Sequence, residues 1–353
     1  MKRIGVLLTS LAGAGAERTI LTLCEGLLRY NCDVTLFAIR DRVEYMPPAG
    51  IKYVCLNADT NALARQRVKS TLSPIKDEFD FFIVSSTKFF DYVPIENKVG
   101  TVHITPTAWI KSECFDWYHR PRKLARLRRK FRGKRMVALS NGIKDDLVSS
   151  LGCKEEDITV IPNPFDLEKM RQLAEAEDYS SEMPYIICVA SLTARKRHDD
   201  LITSFALMQD QKHDLLLVGK GPEKERLQAL AESLGVGHRV KFYGWTSNPY
   251  PLMKNAALSV LTSEAEGSPR VVIESLLLGT PVVSTDCPSG PSEILTGKFS
   301  DYLVSIGDCD AIATAMDAAV QAYPQDFSTL ELDRFISTEV AKRYLELFSD
   351  GAS

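Results

Sequence analysis

The sequence predicts an α/β protein of two domains, each a parallel sheet covered by helices on both faces. Three observations carry that. At 353 residues the chain is long for one core and comfortable for two. Short unbroken apolar runs, such as IGVLLT at 4–9 and YIICVA at 185–190, alternate with segments of helical apolar spacing. Strands buried on both faces read that way, because a parallel sheet needs crossover helices over each face. The alternation pauses at Pro162-Asn163-Pro164 and then begins again. Two prolines there suit a joint between domains, since each fixes its own φ and drives its predecessor out of the helical region.

In the first half, residues 4–9 form a strand and 19–28 carry apolar residues at helical spacing. Between them runs SLAGAGAER, a small-residue loop that lets a ligand approach the backbone closely. As a dinucleotide fingerprint it is incomplete: Gly13 and Gly15 fit, but Arg18 stands where the third glycine belongs. A tight turn of purely structural use is the alternative. Further strands are expected over 34–39, 52–56, 81–85, 98–103, 136–139 and 158–161, with a helix at 143–151 after Ser140-Asn141-Gly142. His103 closes the fifth strand, at the carboxyl edge where open α/β sheets bind ligands. On position alone a structural histidine is the commoner outcome.

The second half repeats the pattern. Strands are expected over 185–190, 215–218, 240–243, 256–261, 282–284 and 302–304, and helices over 199–208, 223–234, 270–278, 308–322 and 337–348. The loop after the first of these strands, SLTARKRH, bunches Arg195, Lys196 and Arg197 at a strand's carboxyl end. Three cations placed so suit a diphosphate, whose charge needs preorganised donors as a bond to it breaks. A basic loop tip without a role is the alternative.

The chain's densest motif lies at 262–295, TSEAEGSPRVVIESLLLGTPVVSTDCPSGPSEIL. A polar loop with Glu264 and Glu266 leads through Gly267, Ser268 and Pro269 into a helix stopped by Gly279. The first-turn amides, near Arg270, Val271 and Val272, would point out along the axis and with the macrodipole form an anion site. Glu274 lies one turn in, able to accept from a ribose diol; Glu266 precedes the helix, within reach of a sugar beyond the phosphate. Taken singly, these are a loop acid and an exposed helix residue.

Taken together, EGSPRVVIESLLLGTPVVSTDCPSGPSEIL resembles the C-terminal signature of the retaining glycosyltransferases of family 4, with seven residues between Glu266 and Glu274. The resemblance extends over much of the chain. It implies the GT-B fold: two Rossmann-like, doubly wound parallel-sheet domains facing across a cleft, with a C-terminal helix crossing back to the first. The implied domains are 1–163 on the acceptor side, 164–335 holding the donor, and 336–353 as the returning helix. Gly15-Ala16-Glu17-Arg18 looks like the family's Gly-Gly-Ala-Glu-Arg turn, which assigns Gly15 and Glu17 to the donor phosphate and acceptor side.

The same resemblance makes Arg195 and Lys196 the basic pair on the diphosphate, although Ser191 stands where many members have Arg and Arg197 where they have Gly. Glu274 would hold the ribose and Glu266 the sugar. Amides of Gly267, Ser268, Pro269's neighbours, Arg270, Val271 and Val272 would hold sugar hydroxyls and phosphate. The backbone around Tyr243 would meet the nucleobase, and His103 would sit near the transferred sugar. The implied enzyme is a metal-independent, retaining hexosyltransferase moving a hexose or N-acetylhexosamine, from a UDP-sugar in preference to GDP-mannose. Its acceptor would be a glycan or lipid-linked glycan in surface polysaccharide, lipopolysaccharide or glycolipid assembly. No cofactor and no metal are expected, the basic pair taking a metal's place. A UDP-sugar 2-epimerase and a non-catalytic sugar-nucleotide-binding partner subunit are the alternatives.

Composition bounds the partners. With 45% hydrophobic residues, 25% charged and a net charge of −3, nothing points to nucleic acid. Eight cysteines lie scattered without a C-x-x-C pair or metal-ligand spacing, as small buried hydrophobes of a reducing compartment do. No leader or spanning segment opens the chain, so a cytoplasmic location is expected. The run 120–135, RPRKLARLRRKFRGKR, opening on Arg120 and closing on Arg135, sets Leu124, Leu127 and Phe131 at helical spacing after Trp109, Trp117 and Tyr118. A basic amphipathic helix of that kind could lie on an anionic membrane, apolar residues dipping toward the headgroups, at the inner face of the cytoplasmic membrane. A solvated helix whose apolar stripe faces the core is equally open.

Overall fold

A computed structural model describes residues 1–12, 15–113, 120–176, 179, 181–324 and 326–349. The chain divides into two compact units, Met1–Phe165 with Asp333–Ser353, and Asp166–Leu332. Gly13, Ala14, Trp117 and Tyr118, singled out in the sequence, lie outside the described residues, and of Trp109 the backbone alone is described.

The first unit contains β1 (Arg3–Leu8), β2 (Asp33–Ala38), β3 (Lys52–Cys55), β4 (Phe81–Val84), β5 (Lys98–Val102), β6 (Met136–Ala138) and β7 (Ile158–Val160). Its helices are α1 (Gly15–Arg29), α2 (Asn61–Leu72), α3 (Pro106–Glu113), α4 (Arg120–Phe131) and α5 (Asn141–Asp145). All pairings are parallel, in the order β3-β2-β1-β4-β5-β6-β7. Side-chain alternation sorts β1 between two cores. Ile4, Val6 and Leu8 pack with Ile20, Leu23 and Leu27 of α1, whereas Leu7 joins Phe37, Phe82 and Val68 on the other face. The unbroken apolar runs follow from this double covering.

The C-terminal helix, Ser337–Ser349, belongs to the first unit. Val340, Ala341, Tyr344 and Phe348 complete the core formed by β1 and α1. Gly26 of α1 makes the approach possible: a Cβ there would lie 2.5 Å from the Ser337 carbonyl oxygen. Arg343 Nη2 donates to Val160 O at 2.6 Å and Arg135 Nη2 to Leu347 O at 2.9 Å, fixing the helix along the sheet.

The second unit contains β8 (Tyr185–Val189), β9 (Asp214–Val218), β10 (Val240–Gly244), β11 (Leu258–Leu261), β12 (Val282–Thr285) and β13 (Leu303–Val304). Around them lie α6 (Leu167–Glu175), α7 (His198–Leu207), α8 (Lys224–Ser233), α9 (Tyr250–Lys254), α10 (Arg270–Leu277), α11 (Pro291–Ile294) and α12 (Cys309–Ala322). The sheet is again parallel, β10-β9-β8-β11-β12-β13. Strand order therefore reverses between β1 and β4 in the first unit and between β8 and β11 in the second. Adjacent loops leave such a point in opposite directions and open a crevice at the strands' carboxyl ends.

The expected 143–151 helix is split: α5 is followed by a π-helical turn, Asp146–Ser150, whose Asp146 takes the Thr107 amide and hydroxyl. Side-chain demand from the first turn of α3 outweighs local periodicity there. In α4 the apolar stripe faces inward. Phe131 is buried, and Leu124 and Leu127 pack on the core around Phe82 and Phe90. Of the two readings the sequence left open, this is the stripe facing the core, with Leu124 and Leu127 partly buried there. Among the described residues, no helix is long and apolar enough to cross a membrane.

Candidate functional site

In the second unit, the crevice is built from the loops after β8 and β11. Ala194–Lys196 form one 3-10 turn, closed by Lys196 N–H to Thr193 O at 3.0 Å. Arg197 then adopts φ 48, a left-handed conformation in which a side chain is strained. Its guanidinium grips Asp200 at 2.5 and 3.0 Å, which offsets that strain and starts α7. The glycine of the family pattern would meet the same turn without strain.

The two loops are stitched through their backbones. Thr262 Oγ1 donates to the carbonyls of Lys196 and Arg197, both at 3.0 Å, and Glu264 N–H to Arg195 O at 2.9 Å. Side chains close the seam. Lys196 Nζ lies 2.5 Å from Glu266 Oε1, Arg195 Nη1 donates to Ala265 O at 2.7 Å, and Arg195 stands 3.9 Å from the same Glu266 oxygen. Lys196 and Glu266 are mostly shielded from water, while Arg195 stays more open.

Behind the seam, Gly267, Ser268 and Pro269 lead into α10, whose N-terminus has no side-chain cap. Ser289 Oγ donates to Gly267 O at 2.9 Å. At Gly290, with φ 100, a Cβ would lie 2.3 Å from Pro269 Cδ. The Gly-Pro-Ser-Glu segment thus presses the acidic loop into place, and only a glycine fits that press.

Glu274 is buried, not exposed as its isolated position in the sequence would suggest. Its Oε1 accepts from Arg270 Nη2 at 3.0 Å and from the Tyr250 hydroxyl at 3.3 Å. Val272 is buried and Val271 half-buried beside it. Tyr243, at the carboxyl end of β10, is exposed.

The first unit brings other named residues together at its own strand reversal. Glu17 and Ala16 of α1, His103 after β5, and Ser85, Ser86 and Thr87 after β4 line one pocket; Gly15 is the first residue of α1. His103 Nε2 lies 2.9 Å from Thr101 Oγ1 and 3.2 Å from Ser85 Oγ. Burial pushes its pKa down to about 4, so the ring is neutral near pH 7. Four residues of these two places escaped sequence reasoning. Thr262 and Tyr250 act as supports whose partners are distant in sequence. Lys88 and Lys130 line the His103 pocket. For Lys88 a signal existed in the polar SSTK run that ends an apolar strand.

Two parallel sheets, each reversing its strand order in mid-sheet, are the GT-B architecture. Solved structures agree: the lipopolysaccharide outer core galactosyltransferase WaaB in its apo form matches 99% of this chain and 100% of its own, with TM-score 0.73 and 22% identity. Anabaena Alr3699/HepE in complex with UDP and glucose matches 99% and 100%, with TM-score 0.74 and 19% identity. Residues 13–169 match the model for Glycosyltransferase Family 4 and residues 170–328 that for Glycosyl transferases group 1. The chain belongs to the family 4 glycosyltransferases.

Among curated relatives, the lipopolysaccharide 1,6-galactosyltransferase of Salmonella typhimurium is 27% identical over 215 residues, 59% of each chain. A Campylobacter jejuni protein, N-acetylgalactosamine-N,N'-diacetylbacillosaminyl-diphospho-undecaprenol 4-alpha-N-acetylgalactosaminyltransferase, is 26% identical over 322 residues, 87% of each. The chain thus spans little more than half of the first relative and most of the second.

Proposed function

We propose that this protein transfers a hexose or N-acetylhexosamine from a UDP-sugar, with retention of configuration, to a glycan or lipid-linked acceptor in surface glycan assembly. The observation that carries the reading is the convergence of Arg195, Lys196 and Glu266 at one strand reversal, beside the uncapped N-terminus of α10. Cations and a helix N-terminus suit the diphosphate; a carboxylate among them suits the sugar hydroxyls. Glu274, held by Arg270 and Tyr250, takes the ribose in this reading. The names of the Salmonella and Campylobacter relatives, and the UDP and glucose of the Anabaena structure, support it.

In the reaction, the bond from the anomeric carbon to the diphosphate oxygen breaks and one to the acceptor oxygen forms. The acceptor's proton passes to the departing phosphate. Negative charge grows on the diphosphate, where Lys196 and Arg195 stabilise it in place of a metal. A screen of sugar nucleotides by thermal shift tests the donor, since a ligand that binds the native state raises its melting temperature. Stabilisation by UDP-sugars above GDP-sugars is expected, followed by a product of unchanged anomeric configuration by NMR and activity that survives EDTA. An inverted product or a GDP preference would overturn those parts of the reading.

The basic face of α4, with Arg122, Lys123, Arg126 and Arg129 exposed, supports contact with an anionic membrane by charge alone. Binding to acidic vesicles should then weaken steeply with salt. Salt-independent binding, or none, returns that face to water.

A further inference from the structure

The carboxyl ends of β1, β4 and β5 border a pocket of the first unit, about 270 Å³ in volume. Hydroxyls line it: Thr9, Ser85, Ser86 and Thr87. Thr9 Oγ1 and Ser86 Oγ lie 3.0 Å apart, and Ser85 Oγ faces His103. Two lysines reach the same space from separate elements, Lys88 from the 3-10 turn Thr87–Tyr92 and Lys130 from the last turn of α4.

Neither lysine has a carboxylate partner among the described residues. Lys88 Nζ donates to Asn61 Oδ1 at 3.1 Å, and Lys130 Nζ lies over the Phe131 ring, 4.7 Å from its centroid. Their surroundings add positive charge. Burial and then Arg40 and Arg65 push Lys88 below the usual lysine range; burial and then Lys134, Lys88 and Arg126 push Lys130 down to about 8. Of these, Lys134 is already paired with Asp91 at 2.7 Å. Glu17 is the one carboxylate among the lining residues. Lys130 is half-buried and Lys88 exposed at the rim, and two cations without a carboxylate partner at one pocket favour an anion there.

We propose that this pocket takes a phosphate group of the acceptor, gripped by Lys88 and Lys130 and hydrogen-bonded by the hydroxyls of Ser85 and Ser86. The proposal rests on the transferase reading above. Two point charges from different elements match a group of two negative charges whose tetrahedral oxygens face several ways. A carboxylate would neutralise only one of them. The phosphate could be a monoester on a sugar or the diphosphate that links a glycan to lipid; the chemistry at the lysines is shared.

Calorimetric titration tests this on the full chain saturated with UDP, so that the anion site of the second unit is already filled. Inorganic phosphate and inorganic pyrophosphate are the probes, with glucuronate as the carboxylate control. Binding of at least one phosphate probe is expected, with about tenfold weakening or more in Lys88→Gln and in Lys130→Gln. UDP affinity should be unchanged in both. Tighter pyrophosphate would assign a diphosphate-linked acceptor, tighter phosphate a monoester. No heat from either probe, unchanged affinity in both variants, or stronger binding of glucuronate would overturn the proposal. If the wild type fails to bind UDP, the donor reading falls while the variants still decide the pocket. Should a variant misfold, protection of wild-type Lys130 from acetic anhydride by the phosphate probes, read by mass spectrometry, gives the same decision, and absence of protection overturns it.

Discussion

Lys196 Nζ and Glu266 Oε1 lie 2.5 Å apart although 70 residues separate them in the chain. The pair joins the loops that leave the second sheet on either side of its strand reversal. Both groups are largely shielded from water, so neither is readily left alone. In the proposed reading, a donor bound here would exchange this pair for its own phosphate and hydroxyls.

Lys196→Ala should lower kcat by roughly a hundredfold or more, the scale on which loss of one preorganised donor is felt. Donor affinity should fall far less, because Arg195 and the α10 N-terminus persist. The variant should also lose about 1–3 kcal/mol of stability through the stranded Glu266 carboxylate, and Glu266→Gln in the same chain should restore much of it. Denaturant melts and saturating-donor kinetics check both. A wild-type turnover number at saturating donor would leave Lys196 as a binding residue alone.

Glu274→Ala should weaken UDP and the sugar nucleotide alike, by about one to two orders of magnitude, since both carry the ribose. Tyr250→Phe removes a 3.3 Å bond and leaves Arg270 in place, so its effect should be a few-fold at most. Equal calorimetric affinities in wild type and Glu274→Ala would end the ribose assignment.

Acid should destabilise the fold through buried His198 and half-buried His103. Burial depresses His103 and His198 to about 4, below the unfolded value near 6.5. Between those limits the unfolded chain binds more protons, so stability is full above about 6.5 and is lost as pH falls toward 4. His198 supplies on the order of 3 kcal/mol to that loss, and the more open His103 less. His103→Asn should flatten the pH dependence of urea midpoints across this window. An unchanged slope would mean that the ring is not held neutral.

Arg197 offers a backbone test. Arg197→Ala keeps the positive φ and loses the Asp200 grip, and should cost about 1–2 kcal/mol. Arg197→Gly loses the same grip but relieves the φ strain, and should fall within roughly half of that. Thermal melts that rank glycine below alanine would contradict the geometry at this turn.

At pH 8, with a pKa of about 8, Lys130 is half neutral, against about 0.3% for an ordinary lysine. It should therefore be among the lysines acylated fastest by a limiting reagent. Labelling no faster than that of exposed Lys123 would refute the depressed value.

The sequence made the sheets legible because parallel strands are apolar on both faces and seldom ambiguous in length. The acidic loop stood out through its resemblance to the family signature, whereas the burial of Glu274 and the packing of Gly290 on Pro269 are visible only in the fold. What escaped was support from afar. Thr262 holds two carbonyls across 66 and 65 residues, and Tyr250 reaches Glu274 across 24. No local spacing encodes such pairs. The basic run at 120–135 was seen with both readings open, since periodicity locates an apolar stripe without saying whether sheet or lipid covers it. Lys130, on the flank of that stripe, turned out to line the His103 pocket.

The returning C-terminal helix sets an order of assembly. Everything in Asp166–Leu332 is made in one uninterrupted run, so the second unit has all its parts while the first still lacks one. The face that carries Ile4, Ile20 and Leu27 must wait, uncovered by Val340, Tyr344 and Phe348, until residues 337–349 leave the ribosome. Domains emerging from synthesis generally settle from the N-terminus onward. Here the domain begun second is the one finished first, and a nascent chain stalled before Ser337 presents a complete second domain joined to an open, adhesive first one.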